Sequence, residues 1–237
     1  MSRAFVWVLL PWLLTRPEFA RAAATGLNVI PTTDLVPWNQ LDVQLSNGNT
    51  AIDGRHGVLR QPQLLPQFEA GLPWHLEMGL DVVPSDGADD YRPQMNFKWT
   101  PLAEGEWHPA VAGGAQGLGI GFQPSYYLVA SKTLNFTAIE YQKFRAHHRN
   151  IKLRGIRLHT GILREPNAWR AMVGTDIELS DHFVLYADWV SGSANAVSLG
   201  GVFVIDTTNS ITASLLRGTD QDRISGVAVS ITHSFSW

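Results

Sequence analysis

Apolar and polar residues alternate along most of the chain from Pro37 onward. The clearest case is WHLEMGLDVV, which separates Leu76, Met78, Leu80 and Val82 from the more polar residues between them. The C-terminal stretch SGVAVSITHSFSW does the same up to Trp237, with His233 as the misfit on its apolar side. Successive side chains of a strand point to opposite faces, so this period of two predicts strands with one apolar and one polar face.

The strands can be counted from the turn-forming residues between them. We predict segments at about 38–46, 64–72, 74–83, 92–101, 107–116, 123–131, 153–163, 168–179, 182–190, 194–205, 209–217 and 224–237. Short connections (AGLPW, PLAEGE, LSDH, DTTN) alternate with longer ones (SNGNTAIDGRHGVLRQP, PSDGADDYRP, GGAQGLGIGFQP, LREPNA, SGSANA, RGTDQD). An even strand count with short turns at one end is typical of outer-membrane barrels. The pattern therefore predicts an all-β fold, a transmembrane antiparallel up-and-down β-barrel of about twelve strands.

A secreted β-sandwich or a lipocalin-like barrel would also give alternating strands. Tryptophan favours the membrane barrel over both, because the large rings fall near predicted strand ends, where a membrane interface places them. These residues are Trp38, Trp74, Trp99, Trp107, Trp169, Trp189 and Trp237. We interpret Phe235 and Trp237 as the C-terminal signal that the barrel-assembly machinery reads.

The N-terminus indicates export. Arg3 precedes an apolar run of about eleven residues, and the alanines before Thr25 fit a signal-peptide cleavage site. Residues 1–24 are predicted to be the signal peptide, 25–36 a periplasmic or lumen-plugging segment, and 37–237 the barrel. The expected location is the bacterial outer membrane. The absence of cysteine in the sequence excludes disulfides and thiolate metal sites.

Three stretches carry a family resemblance: TGLNVIPTTDLVP, HPAVAGGAQGLGIGFQPSYYLVASKTL and VLYADWVSG. They resemble bacterial outer-membrane barrels of the YjbH type, which are associated with exopolysaccharide production. The resemblance spans most of the chain from Thr25 to Trp237 and implies an outer-membrane barrel linked to exopolysaccharide production or secretion. Typical members are much larger lipoproteins, whereas this chain has no cysteine to acylate.

Charged residues recur on the polar strand faces and are predicted to line the lumen. They are Glu69, Glu77, Asp81, Lys98, Arg157, His159, Arg170, Asp176, Glu178 and Asp188. One interpretation is a lining that selects among permeating solutes. The other is an ion-pair network that fills a narrow barrel, because unpaired charge in a low-dielectric interior is costly. Both remain open at this point.

A basic segment interrupts the strand pattern at 132–152 and is predicted to be a periplasmic insert, either helical or a strand pair. Its candidate partner-binding residues are Lys143, Arg145, Arg149, Lys152 and Arg154. Such a cluster can attract an acidic partner through charge complementarity. A solvated loop is the alternative. An acidic mature chain makes nucleic acid an improbable partner. The expected partners are outer-membrane lipid, lipopolysaccharide, the assembly machinery and polysaccharide or periplasmic secretion proteins.

No pattern in the sequence indicates catalysis or a cofactor. The adjacent His147 and His148 lack a third ligand at a familiar spacing, so no metal site is predicted. His56 with Asp53, facing Asp89 and Asp90, is the one set an outer-rim hydrolase could use. A G-x-S-x-G nucleophile motif is absent from the sequence. A pore, an export conduit or an envelope scaffold is therefore favoured over an enzyme.

Overall fold

The computed structural model describes residues 26–27, 29–47, 50–53, 57–58, 64–84, 91–119, 121, 123–134, 155–192, 196–218 and 225–237. Its strands are β1 (Gln40–Ser46), β2 (Thr50–Asp53), β3 (Gly57–Val58), β4 (Leu65–Leu72), β5 (Leu76–Pro84), β6 (Tyr91–Leu102), β7 (Ala110–Leu118), β8 (Ser125–Leu134), β9 (Ile156–Glu165), β10 (Ala168–Ser180), β11 (Phe183–Val190), β12 (Ala196–Val204), β13 (Asn209–Gly218) and β14 (Ser225–Ser236). Among the described residues, no helix is long and apolar enough to cross a membrane.

Twelve of these strands form one closed antiparallel barrel, which confirms the predicted fold class. Each strand from β4 to β13 pairs with the next in the chain, and β1 pairs with both β4 and β14. The small β2–β3 hairpin pairs with the first residues of β14, beyond the last residue of β14 that β1 reaches. Closure satisfies the backbone groups of every barrel strand, which is the condition for crossing lipid without helices. We name the end where β1 starts and β14 finishes the terminal end, and the other the distal end.

The barrel is inverted relative to a water-soluble protein. Large apolar side chains on the outer face are exposed, for example Leu128 at 51% and Leu199 at 58%. The alternate, inward positions hold buried polar residues such as Asn96 and Ser198. In water this outer surface would carry a large hydrophobic penalty, whereas lipid removes it. The burial pattern therefore matches a barrel that spans a membrane.

Two connections differ from their predicted lengths. The stretch LREPNA was expected to be a longer loop, but β9 and β10 are joined by a tight turn of Pro166 and Asn167. The prediction was wrong because Arg164 and Glu165 pair with Trp169 and Ala168, which continues the ladder to the turn. PLAEGE was expected to be short, yet residues 103–109 separate β6 from β7. Neither change alters the strand count.

The glycine-rich stretch GGAQGLGIGFQP also differs from the prediction. Its first four residues were predicted in the strand 107–116 and the rest in a loop, but β7 runs on to Leu118. Gly114 faces inward in this strand, where Tyr127 of β8 lies across it. A side chain at that position would collide with the tyrosine ring, so packing explains the glycine better than turn formation does.

The last strand ends as the alternation predicts. Phe235 and Trp237 are exposed at the terminal end, and the Trp237 N–H donates to the Asn39 carbonyl at 3.1 Å. His233, the misfit on the apolar face, is 2.8 Å from the side-chain oxygen of Asn209 and meets the Phe235 ring edge-on. A hydrogen-bonded partner on β13 explains how a polar ring is tolerated there. The assembly-signal role of Phe235 and Trp237 remains a prediction.

Candidate functional site

Part of the segment before β1 lies inside the barrel. We call residues 26–27 and 29–37 the plug segment. It begins with a turn in which the Leu27 N–H donates to the Ile30 carbonyl at 3.0 Å, and Gly26 bridges to Pro31. This turn presents Ile30 to the barrel wall, where its side chain is completely buried.

An apolar patch on the inner wall receives Ile30. The patch consists of inward residues from β7 to β11: Ala112, Tyr127, Val129, Leu163, Met172 and Val190. Leu27 and Val29 of the plug segment pack against the same cluster. A small residue makes room for them, because a Cβ added to Gly174 of β10 would lie 2.7 Å from both Ile30 Cδ1 and Leu27 Cδ1. The lumen wall is thus shaped to the plug segment.

Charged wall residues hold the backbone of the plug segment. The Val29 N–H donates to Oδ2 of Asp188 at 2.8 Å, and the Val36 N–H donates to Oε2 of Glu77 at 2.9 Å. The ammonium group of Lys98 donates to the carbonyl of Asp34 at 2.6 Å. Hydrogen bonds to ionised groups are stronger than neutral ones, and buried backbone groups must be paired. The charged wall residues therefore supply the hydrogen-bond partners that the backbone of a neighbouring strand supplies within a sheet.

Lys98 is the most deeply buried of these charges. Its side chain is 0% exposed, and its ammonium nitrogen lies 3.3 Å from Oε1 of Glu77. β5 and β6 place the two residues directly opposite each other in register, so their side chains leave the wall together. The buried cation is thus both neutralised by the wall and coordinated by the plug segment.

A second anchor lies closer to the terminal end. The Arg157 guanidinium donates to Oδ1 of Asp34 and, at 2.8 Å, to Oγ1 of Thr33. Its Nε also lies 3.9 Å from Oε2 of Glu104, in the loop 103–109. Partial burial would raise the pKa of the Asp34 carboxyl, but the hydrogen bond and charge of Arg157 outweigh it and lower that pKa. Asp34 is therefore held as an anion that ties the plug segment to β9.

The loop 103–109 is fastened at the same end. Glu104 accepts hydrogen bonds from the backbone N–H of Thr133 at 2.8 Å and from its hydroxyl at 3.0 Å. Burial opposes ionisation of Glu104, yet these bonds and Lys132 lower its pKa below the usual value. Lys132 also donates to the carbonyl of Gly105 at 2.6 Å. The plug segment, β8, β9 and this loop thus form one connected ionic network.

Two further polar groups in the wall are satisfied without the plug segment. His159 lies between Oγ of Ser131, at 2.7 Å, and Oδ2 of Asp176, at 2.6 Å. This is the residue combination of a hydrolytic triad, but Ser131 is only 1% exposed. Nearer the distal end, Arg170 binds Glu165 at 2.6 Å. Both arrangements are structural: each buried polar side chain has a hydrogen-bonding or ion-pair partner.

The predicted lumen residues all fall on inward strand positions, at different depths. Glu77, Asp81, Lys98, His159, Arg170 and Asp188 are buried; Glu69, Arg157 and Asp176 are half-buried, and Glu178 is exposed near the terminal end. Their role in selecting solutes remains a proposal. Sequence reasoning missed Thr33, Asp34, Glu104, Ser131 and Glu165. Only the family-like stretch TGLNVIPTTDLVP drew attention to the first two of these residues.

The opposite part of the wall is chemically different. β12, β13 and β14 present small inward side chains, among them Ser198, Ser214 and Ser230, all buried. The hydrogen bonds described above join the plug segment to β5, β6, β9 and β11. The lumen is therefore asymmetric: the plug segment is held on the charged side, and the small hydroxyl-bearing side begins at Ser198, which donates to Asp188.

Other candidate residues lie largely outside the described part of the chain. β8 continues to Leu134, so the first residues of the predicted insert belong to a barrel strand. Lys143, Arg145, Arg149, Lys152 and Arg154 lie outside the described residues, as do His56, Asp89 and Asp90. Asp53 falls in β2. The described ranges contain no cluster of three or more histidine or acidic side chains able to hold a metal ion.

Comparison with known proteins identifies the fold and no family. No protein-family profile and no curated protein sequence matches the chain. Among solved structures, the KdgM porin is similar at 8% identity, with 83% of this chain and 99% of that chain covered and a TM-score of 0.51.

A second structure, of the KdgM porin in complex with disordered oligogalacturonate, is similar at 8% identity. It covers 83% of this chain and 99% of that chain, with a TM-score of 0.52. An outer-membrane channel from Pseudomonas putida F1 has 8% identity over 88% of this chain and all of that chain, but its TM-score of 0.47 adds no weight. With its exposed apolar belt, the chain has the fold of a twelve-stranded outer-membrane β-barrel.

Proposed function

We propose that this protein is an outer-membrane pore whose lumen is closed by its own N-terminal plug segment. The observation that carries the proposal is how the plug segment is held. Its backbone binds Asp188, Glu77 and Lys98, three acidic or basic wall residues that line the lumen. Polar contacts of this kind can be exchanged for water or solute, whereas a continuous apolar core cannot. Such a lumen suits a passage that opens when the segment leaves.

The solute is the finer part of the proposal. We propose that it is a polar molecule handled at the cell surface, with exopolysaccharide production or secretion as the setting. Support comes from the YjbH-type resemblance of the stretches around residues 25–37, 108–134 and 184–192. The KdgM porin, which shares the barrel fold, has been solved in complex with disordered oligogalacturonate. We assign no catalytic residue, and the export signal at 1–24 remains part of this proposal.

A closed scaffold is the second candidate. The apolar burial of Ile30 against the wall favours it, because a segment packed that way can be permanent. In this version the barrel anchors periplasmic partners through the basic insert, while lipid and lipopolysaccharide surround the wall. The two candidates differ in whether the lumen ever passes a solute.

Solute flux into liposomes separates them. A chain that lacks residues 25–36 keeps all barrel strands, and we expect proteoliposomes containing it to swell in isotonic solutions of small sugars. The intact chain should give much slower swelling. Folding of both proteins is checked by heat-modifiable gel mobility. If the shortened protein folds and still admits no solute, the pore is rejected and the scaffold is retained.

A further inference from the structure

A polar cluster on β5, β6 and β7 is not accounted for by the plug segment. We call Asp81, Asn96 and Gln116 the amide–carboxylate cluster. Asn96 Nδ2 donates to Oδ2 of Asp81 at 2.5 Å, and Asn96 Oδ1 accepts from the Gly117 N–H at 3.2 Å. All three members face inward and lie closer to the distal end than the plug anchors. Asn96 and Gln116 are one inward position beyond Lys98 and Gly114, and Asp81 is two inward positions beyond Glu77. The cluster thus lies on the distal side of the plug anchors.

The wall is built to allow this arrangement. Gly79 lies opposite Asn96 in the register of β5 and β6. A Cβ at Gly79 would lie 3.3 Å from both Cβ and Nδ2 of Asn96, closer than side chains normally pack. The missing side chain lets Asn96 reach along β5 to Asp81. Gly117, with a φ of 72°, lies in the irregular pairing of β6 and β7, so its N–H can turn toward Asn96.

Two acceptor atoms of the cluster are left over. Oδ1 of Asp81 and Oε1 of Gln116 are buried and have no hydrogen-bond partner of good geometry among the described residues. Gln67, opposite Asp81 in the register of β4 and β5, approaches the same carboxylate without satisfying Oδ1. An unpaired buried acceptor costs about 1–3 kcal/mol, and more when it is charged. Both atoms are acceptor oxygens, so the missing partner supplies either hydrogen-bond donors or a positive charge.

The side chains around the amide–carboxylate cluster indicate which class of molecule can bind there. The Tyr127 hydroxyl on β8, beside Gly114, is a third buried polar atom without a partner in the described ranges. An aromatic ring together with amide and carboxylate oxygens suits a hydroxyl-bearing solute, since each solute hydroxyl can donate and accept. The nearby carboxylates Glu69 and Asp81 disfavour an anion.

We propose that the amide–carboxylate cluster is a binding subsite for a neutral, hydroxyl-rich solute, such as a short neutral oligosaccharide, on its way through the lumen. The inference rests on the proposed pore function and adds the substrate class. Asp81, Asn96 and Gln116 are buried in this closed state of the barrel, and the proposal requires that they become accessible when the lumen opens. Asp81 and Gln116 then accept from solute hydroxyls, while Asn96 keeps the carboxylate in place.

The test is equilibrium binding of maltotriose to the full-length Ile30→Asp protein in detergent, measured by isothermal titration calorimetry. A buried carboxylate at position 30 is expected to expel the plug segment from its apolar patch. We expect saturable binding, weakened at least tenfold by Asp81→Asn and by Gln116→Met. Ser230→Ala, on β14 and outside the cluster, is the matched control and should bind as the parent does. The acidic probe trigalacturonate should bind at least tenfold more weakly than maltotriose.

Three results would overturn the inference. They are no saturable heat from maltotriose with the folded protein, equal affinity in the Asp81 and Gln116 variants, or a saturable response to sodium chloride alone, which would identify a cation site. Conductance of the same preparations in planar bilayers decides the pore separately. Conduction without maltotriose binding rejects only the subsite, whereas binding without conduction rejects the pore and leaves a carbohydrate-binding barrel.

Discussion

At the scale of single residues, Lys98 shows how this lumen accommodates charge. Its ammonium group has no exposure and meets a carboxylate from β5 and a carbonyl from the plug segment. Removing one member of a buried ion pair destabilises a protein far more than replacing both members with apolar residues, because the remaining charge is left in a low-dielectric site. Lys132 makes similar contacts, but its side chain is one third exposed, so water can replace its partner if the pair is broken.

The contrast between these two lysines gives a stability prediction. Lys98→Met should lower the free energy of unfolding by about 3 kcal/mol, because Glu77 loses its buried counter-charge. Lys132→Met should cost about 1 kcal/mol or less, as is usual for exposed pairs. Urea unfolding of the folded proteins in detergent measures both. Equal losses in the two variants would contradict the buried-pair account.

Asp34 gives a prediction on pH. Its pKa is lowered below the ordinary value of 3.8. The stability that the Asp34–Arg157 pair gives to the plug segment is therefore fully present above about that pH. The contribution is lost as the pH falls through the lower value of the folded protein, because a protonated Asp34 no longer pairs with Arg157 as an anion. Bilayer conductance of the intact protein should therefore rise as the pH is lowered below about 3.8.

Asp34→Asn isolates the contribution of this residue. Its conductance should already be raised at neutral pH. Between about pH 5 and about pH 3, on either side of the ordinary value of 3.8, it should change less than the conductance of the intact protein does. If the conductance of the variant rises with falling pH as that of the intact protein does, the rise is caused by other carboxylates of the lumen and not by Asp34.

Single residues also show where sequence reasoning stops. Alternation indicates that Lys98 and Asp188 face inward, because facing depends only on parity along a strand. It cannot show that their partners are the carbonyl of Asp34 and the N–H of Val29, since those contacts join residues far apart in the chain. Backbone groups look alike in every sequence, so their pairing leaves no mark on residue types.

At the scale of elements, strand positions were largely predictable and connection lengths were not. All twelve barrel strands were expected in order, since each must alternate to divide lipid from lumen. The turn at Pro166 and Asn167 was missed because its flanking charges resemble loop residues. In fact Glu165 is buried inside, where it binds Arg170. A charged side chain in such a barrel indicates the lumen as readily as a loop.

The plug segment is the element on which the proposed pore depends most, and Gly174 tests its fit. Gly174→Ala places a methyl group against Ile30 and Leu27 and should weaken plug packing by about 1 kcal/mol. This corresponds to a roughly fivefold higher probability of the open lumen in single-channel records. Gly113→Ala is the matched control on β7, because its added Cβ meets the neighbouring strand at 3.4 Å or more.

Two outcomes of that comparison would contradict the account. An unchanged open probability in Gly174→Ala would mean that the contact does not hold the plug segment. An equal rise in both alanine variants would mean that the wall, and not the segment, responds to the added methyl group. Heat-modifiable mobility confirms that each variant is folded before it is recorded.

At the scale of the whole molecule, one sequence period produces a barrel with an apolar outside and a polar inside. The outer belt includes exposed Leu128, Ile162 and Leu199, whereas buried Asn96 and Ser198 line the interior. The interior is itself divided between a charged, plugged side and a wall of small hydroxyl-bearing residues. In the proposed pore, solute would pass along the wall of small hydroxyl-bearing residues once the plug segment is displaced.

Single-channel conductance of two full-length variants at position 30 tests the central claim, that the plug segment closes a pore, most directly. Ile30→Asp places a charge in the apolar patch and should give frequent, long openings, whereas Ile30→Val keeps an apolar side chain and should remain as closed as the parent. The contradicting result is a folded Ile30→Asp barrel that is as silent as Ile30→Val, which would make this protein a closed scaffold.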